Sequence, residues 1–252
     1  MNTDEMSRAR QSARSPASPN LPGAWFVHLY TAFGALAAFF GTLAVFDARY
    51  RESFAWMFAA TVVDASDGFL ARRMRVREVL PGFDGARLDD IVDYLTFVFL
   101  PMLLLYHAGV LPSGWGAAVA SIVLLSSAYG FCSADAKTDD HFFTGFPSYW
   151  NIVALYLFAA GLPPAANGAI LIVLSALVFV RIGYVYPSKT PRLRVLTVVL
   201  GLVWAAMIAA IILILPAVST PLLVTSFFYP IYYAILSLAL HGRRRLPAEG
   251  RP

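Results

Sequence analysis

Apolar runs dominate this chain, and polar positions interrupt them only briefly. Eight apolar segments lie near 24–46, 53–74, 87–109, 114–134, 148–162, 165–186, 194–215 and 219–241. Each is long enough, or nearly so, to cross a hydrocarbon core about 30 Å thick, which predicts a stack of membrane-spanning helices. The fifth is the shortest, and Pro147 marks its start. Pro101 falls inside the third and predicts a kink, tolerable where neighbouring helices support the freed carbonyl. Residues 1–20 are polar and rich in Ser, Arg and Pro, without the apolar centre of a signal peptide. They read as a disordered cytosolic tail, 21–241 as one membrane domain, and 242–252 as a basic cytosolic tail. No internal repeat is visible.

Composition sharpens this into an integral membrane protein: 59% of the 252 residues are hydrophobic and 13% are charged, against about 25% charged in soluble domains. The predicted class is therefore all-α and polytopic, with about eight transmembrane helices and both termini cytosolic. Charge placement tests the count. With eight spans and the N-terminus inside, 17 basic residues fall on the cytosolic side and only Arg49 and Arg51 fall outside. Adding or removing one span would flip the later loops and destroy that bias. The net charge of +4 is thus topological and does not point to nucleic acid. Cys132 is the only cysteine, which excludes an intrachain disulfide and predicts a small core residue.

The charges concentrate between Asp64 and Asp93, which hold seven of the fifteen acids: Asp64, Asp67, Glu78, Asp84, Asp89, Asp90 and Asp93. Apolar helices flank this interval on both sides. Asp64 and Asp67 are three apart and Asp89 and Asp93 four apart, so each pair falls on one helical face. If the two helices form a hairpin, four carboxylates converge near one membrane boundary, where ionisable groups are costly and usually functional. Such a cluster repels itself unless cations neutralise it, and hard divalent ions take oxygen ligands. Asp90 points off the shared face and is left out.

The run Asp64-Ala-Ser-Asp67-Gly68-Phe-Leu-Ala71-Arg72, followed by Gly85-Ala-Arg-Leu-Asp89-Asp-Ile-Val-Asp93, resembles the signature of the CDP-alcohol phosphotransferases. The common family spacing leaves eight residues between the Arg and the second Gly; here twelve separate Arg72 from Gly85. That longer insert resembles the bacterial phosphatidylcholine synthase branch, as does the run from His141 to Phe158. The resemblance implies phosphatidyl transfer from CDP-diacylglycerol to an alcohol with release of CMP, at the cytosolic face of the bacterial inner membrane. It implies Asp64, Asp67, Asp89 and Asp93 as ligands of divalent metal, Mn2+ or Mg2+ and two ions, with Asp93 also the base for the acceptor hydroxyl. It further implies Gly68, Ala71, Arg72 and Gly85 beside CDP-diacylglycerol, and a homodimer. Beyond the resemblance, Gly68, Ala71 and Gly85 suit close approach of a ligand, since a larger side chain would intrude, and Arg72 suits phosphate oxygens. Arg73, Arg75 and Arg77 read as residues facing anionic headgroups.

The branch implies choline as acceptor. A quaternary ammonium cannot donate a hydrogen bond and is met by aromatic faces. Tyr94, Tyr129, Tyr149, Trp150, Tyr184 and Tyr186 fall near predicted cytosolic ends, and Tyr149 with Trp150 form the preferred pair. Interfacial aromatic belts compete as an explanation for each of them. Asp139-Asp140-His141 is a weak metal pattern, and His28, His107 and His241 read as structural. Serine or another small alcohol stays open as acceptor within the same family. A different class, an ion-coupled transporter, also holds intramembrane carboxylates; carriers, however, show paired broken helices in two related halves.

Overall fold

The computed structural model describes residues 20–133, 142–185 and 193–245. It is an all-α membrane protein. Helix α1 (Leu21–Phe46) starts at Asn20, whose side chain accepts from the Gly23 amide at 3.0 Å. Helix α2 (Tyr50–Arg73) returns beside it. A short helix α3 (Val76–Val79) precedes α4 (Gly85–Asp93), a π-helical turn (Tyr94–Phe99) and α5 (Leu100–His107). Then come α6 (Gly116–Cys132), α7 (Trp150–Ala160), α8 (Pro164–Val178), α9 (Arg194–Ile214), α10 (Thr220–Ser226) and α11 (Phe228–Arg245). Helices α1, α2, α9 and the stretch Thr220–Gly242 are long and apolar enough to cross a membrane. The eleven residues of α7 span only about 16 Å at 1.5 Å each, short of a hydrocarbon core.

Helix α1 organises the site-bearing half because its inner face is made of small residues. Ala24, Val27, His28, Thr31, Gly34, Ala37, Ala38, Gly41, Ala44 and Val45 are buried, a stripe that lets backbones approach closely. A Cβ at Gly34 would run into Val92, and one at Gly41 would sit 2.6 Å from Leu100 Cδ2. Both partners belong to the α4–α5 limb, so α1 fixes the depth at which α4 lies. Gly34→Leu is expected to cost about 1–3 kcal/mol, as overpacked cores do. Thermal unfolding in detergent checks this, with a lowered midpoint as the expected result.

The third segment runs from Gly85 to His107, close to its expected 87–109, and its irregularity is a π turn ending two residues before Pro101. Proline offers no amide to the carbonyl four residues back, so the ladder must rearrange on that side. The expected segment 165–186 ends earlier, at Val178. Its last residues instead form strand β2 (Gly183–Val185), antiparallel to β1 (Phe142–Thr144), with Phe143 opposite Tyr184. The Gly183 amide donates to His241 Nδ1 at 3.1 Å, which fastens β2 to α11. The last segment breaks at Phe227, where Pro230 cannot bond the Ser226 carbonyl. Helix α11 then continues to Arg245, into the stretch read as a basic tail.

The main core joins Phe54 and Met57 of α2 to Leu104, Val123, Trp150, Leu155, Leu171 and Ile211. Large apolar side chains elsewhere face outward, including Leu29, Leu125, Val195 and Leu202. In lipid such a surface is solvated, and packing between helices falls to small and polar residues. Cys132 corrects its expectation: it is exposed, because it is the last residue of α6 and faces away from the core.

Candidate active site

Two helices deliver the carboxylates. Helix α2 carries Asp64 and Asp67 in its last turns, and α4 carries Asp89 and Asp93 one turn apart. Asp84 caps α4 by accepting from the Arg87 amide at 3.1 Å. The π turn begins at the residue after Asp93, and Tyr94 donates its hydroxyl to the Leu124 carbonyl at 2.9 Å, holding that turn against α6. Asp64, Asp89 and Asp93 come together: one carboxylate oxygen from each lies within 4.8 Å of the others, and all three residues are half-buried. Each like-charge pair at that separation costs about 3 kcal/mol at an effective dielectric near 20. Three hard oxygen donors around one point suit a divalent cation, so the group can hold a metal ion.

Asp67 takes a different position from its three partners. It is buried, and its Oδ2 accepts from Thr31 Oγ1 at 2.7 Å, across the α1–α2 seam. One residue earlier, Ser66 and Tyr30 hydroxyls bond at 2.8 Å, so the seam is pinned twice. A third tie comes from α7: Asn151 donates to Thr61 Oγ1 at 3.0 Å, one turn before Asp64. Thr31, Thr61 and Asn151 carry no motif spacing. The only hint in sequence is that they are polar positions inside apolar runs.

The small motif residues divide by what surrounds them. A Cβ at Gly85 would lie 2.7 Å from His28 Cε1, so helix packing alone requires glycine there. His28 is itself buried against Phe83, at 4.3 Å between ring centroids. Ala71 packs on the cluster of Ala24, Val27 and Val76, which seals the twelve-residue insert onto the ends of α1 and α2. At Gly68, by contrast, a Cβ would meet only Arg72 Nη1, at 3.4 Å, an ordinary contact. Gly85→Ala is therefore expected to destabilise the fold by about 1–3 kcal/mol, read as a lower thermal midpoint in detergent.

Curated relatives of this chain share one description. It is 36% identical over 209 residues to phosphatidylcholine synthase of Pseudomonas aeruginosa, covering 83% of this chain and 87% of that protein. It is 40% identical to the Legionella bozemanae phosphatidylcholine synthase, covering 79% and 94%. The chain belongs to the phosphatidylcholine synthase family. A more distant member, from Borreliella burgdorferi, is 30% identical over 87% of this chain and 94% of its own length. No family model matches the sequence.

In this member of the phosphatidylcholine synthase family the two preferred aromatics separate. Trp150 is fully buried, with Phe146 at 5.0 Å between ring centroids and its Nε1 donating to Ser127 Oγ at 2.7 Å. It is a core residue that anchors α7. Tyr149 keeps an exposed ring beside Tyr233. The histidine readings agree with the contacts: His107 Nδ1 bonds the Tyr50 hydroxyl at 3.0 Å, and His241 holds β2. Asp139, Asp140, His141 and Tyr186 lie outside the described residues, as do residues 1–19 and 246–252 of the expected tails.

Proposed function

We propose that this protein transfers the phosphatidyl group of CDP-diacylglycerol to choline, giving phosphatidylcholine and CMP, at the cytosolic face of a bacterial inner membrane. What carries the reading is the meeting of Asp64, Asp89 and Asp93 in a chain of this family. Counted over the eight spans expected from sequence, the excess of basic residues on one side supports the cytosolic orientation.

Asp64, Asp89 and Asp93 would be the primary holders of divalent metal, Mn2+ or Mg2+. Asp67 is the fourth carboxylate of the motif, steadied by Thr31. A divalent ion held there would supply neutralising charge to the diphosphate. Asp93 takes the proton of the choline hydroxyl; the oxygen so freed bonds to the phosphatidyl phosphorus, and the bond from that phosphorus to the CMP oxygen breaks. Water must stay out, because hydrolysis would yield phosphatidic acid instead. Arg72 lies over Gly68, on the open side of α2, where a guanidinium can meet phosphate oxygens.

Two measurements test this reading. Purified protein with CDP-diacylglycerol, Mn2+ and labelled choline should place label in lipid, with serine and inositol phosphate giving little. Label from serine instead would replace the acceptor while keeping the transfer. Gly68→Ala should hold or raise thermal stability, since alanine gains about 0.8–1 kcal/mol over glycine inside a helix. It should nonetheless slow transfer, because the added methyl enters the space the donor needs. Full activity in Gly68→Ala would move the donor away from this face.

A further inference from the structure

Three tyrosines from three separate elements converge next to the N-terminal end of α7. Tyr149 caps that helix, Tyr184 is the middle residue of β2, and Tyr233 lies in α11. The Tyr184 and Tyr233 rings are nearly parallel, 17° apart in plane with centroids 6.2 Å apart. Tyr149 is turned 65° against Tyr233, with ring centroids 6.3 Å apart.

Backbone and side-chain ties bring each ring there. Trp150 Nε1 and Ser148 both bond Ser127, which seats the residue between them. The pairing of Phe143 with Tyr184 and the bond from the Gly183 amide to His241 seat β2 on α11. The Asn151–Thr61 hydrogen bond then couples this end of α7 to α2, one turn from Asp64. An interfacial belt spreads tyrosines along a membrane edge and does not require convergence of rings from distant segments.

Resting on the transfer reading above, we propose that Tyr149, Tyr184 and Tyr233 form the recess that receives the quaternary ammonium of the acceptor alcohol. A trimethylammonium group offers no N–H, so its recognition falls to the negative faces of aromatic rings. With the ammonium against the ring faces, the hydroxyl at the far end of the two-carbon arm stays clear of the rings. The recess, and not the metal site, then selects choline over serine, whose carboxylate gains nothing from ring faces.

Equilibrium binding of labelled choline to the full chain in detergent tests this without requiring turnover, with transfer from CDP-diacylglycerol measured in parallel. Tyr184→Ala and Tyr233→Ala are expected to weaken choline binding about twofold to thirtyfold, the span of one cation–π contact. The matching Phe variants should stay within about twofold of wild type, because they keep the ring faces. Competition by 3,3-dimethylbutan-1-ol, the uncharged carbon isostere of choline, adds a readout specific for charge. Its disadvantage against choline should shrink in the Ala variants. Unchanged choline binding in both Ala variants, or Phe variants as weak as Ala, overturns the recess. Wild type that binds choline in this way but makes no phosphatidylcholine overturns the transfer reading and leaves the recess standing.

Discussion

Asp93→Asn is expected to lower phosphatidyl transfer about 10²- to 10⁴-fold, the usual cost of losing a general base, while the protein keeps its thermal midpoint. The substitution is nearly isosteric and removes one charge from a crowded group. Asp93 lies within 4.8 Å of both Asp64 and Asp89 through carboxylate oxygens, so losing its charge relieves repulsion of about 3 kcal/mol per pair. Stability should therefore hold or rise as activity falls. That opposition separates a functional loss from a folding defect. Turnover of CDP-diacylglycerol and choline, measured beside thermal unfolding in detergent, checks both halves. A variant that keeps about a tenth or more of wild-type turnover would assign the base elsewhere.

Chelation is the second large effect. Excess EDTA is expected to abolish transfer, and Mn2+ or Mg2+ to restore it. In Asp89→Asn the metal concentration needed for half-restoration should rise by at least about tenfold, since even outer-shell partners of metal ligands cost about 10–100-fold in affinity. Activity against free metal concentration, wild type beside variant, provides the measurement. Identical curves would remove Asp89 from the ligand set.

The membrane class and the site region were legible because charge is scarce in this chain. Where 13% of residues are charged, a stretch holding Asp64, Asp67, Asp89 and Asp93 stands out, and helical spacing put Asp89 and Asp93 on one face. Spacing on one helix says nothing about the neighbour across the seam. Asp64 and Asp67 share a face of α2, yet Thr31 of α1 engages Asp67 and leaves Asp64 with the α4 pair. Gly85 and Gly68 look alike in sequence, and only the position of His28 distinguishes a packing glycine from an open one.

Trp150 illustrates a different limit. An aromatic residue beside a predicted membrane edge suits either an interface or a core, and its indole N–H found Ser127, which is 23 residues away. Strand β2 was hidden inside an apolar run read as helix, since short apolar stretches do not reveal their own period. Pro101 marked the irregularity of the third segment in sequence, whereas the Tyr94–Leu124 bond that holds the π turn against α6 is a tertiary contact with no local signature.

Direct binding of Mn2+ to the purified full chain, followed by electron paramagnetic resonance, is the most direct test of the carboxylate site. Titration should show protein-bound Mn2+ for wild type, weakened at least about tenfold in Asp64→Asn and Asp89→Asn and unchanged in Asp84→Asn, which alters a helix cap and an exposed ion pair with Arg87. Equal Mn2+ binding by all four proteins would contradict a metal site built from Asp64, Asp89 and Asp93.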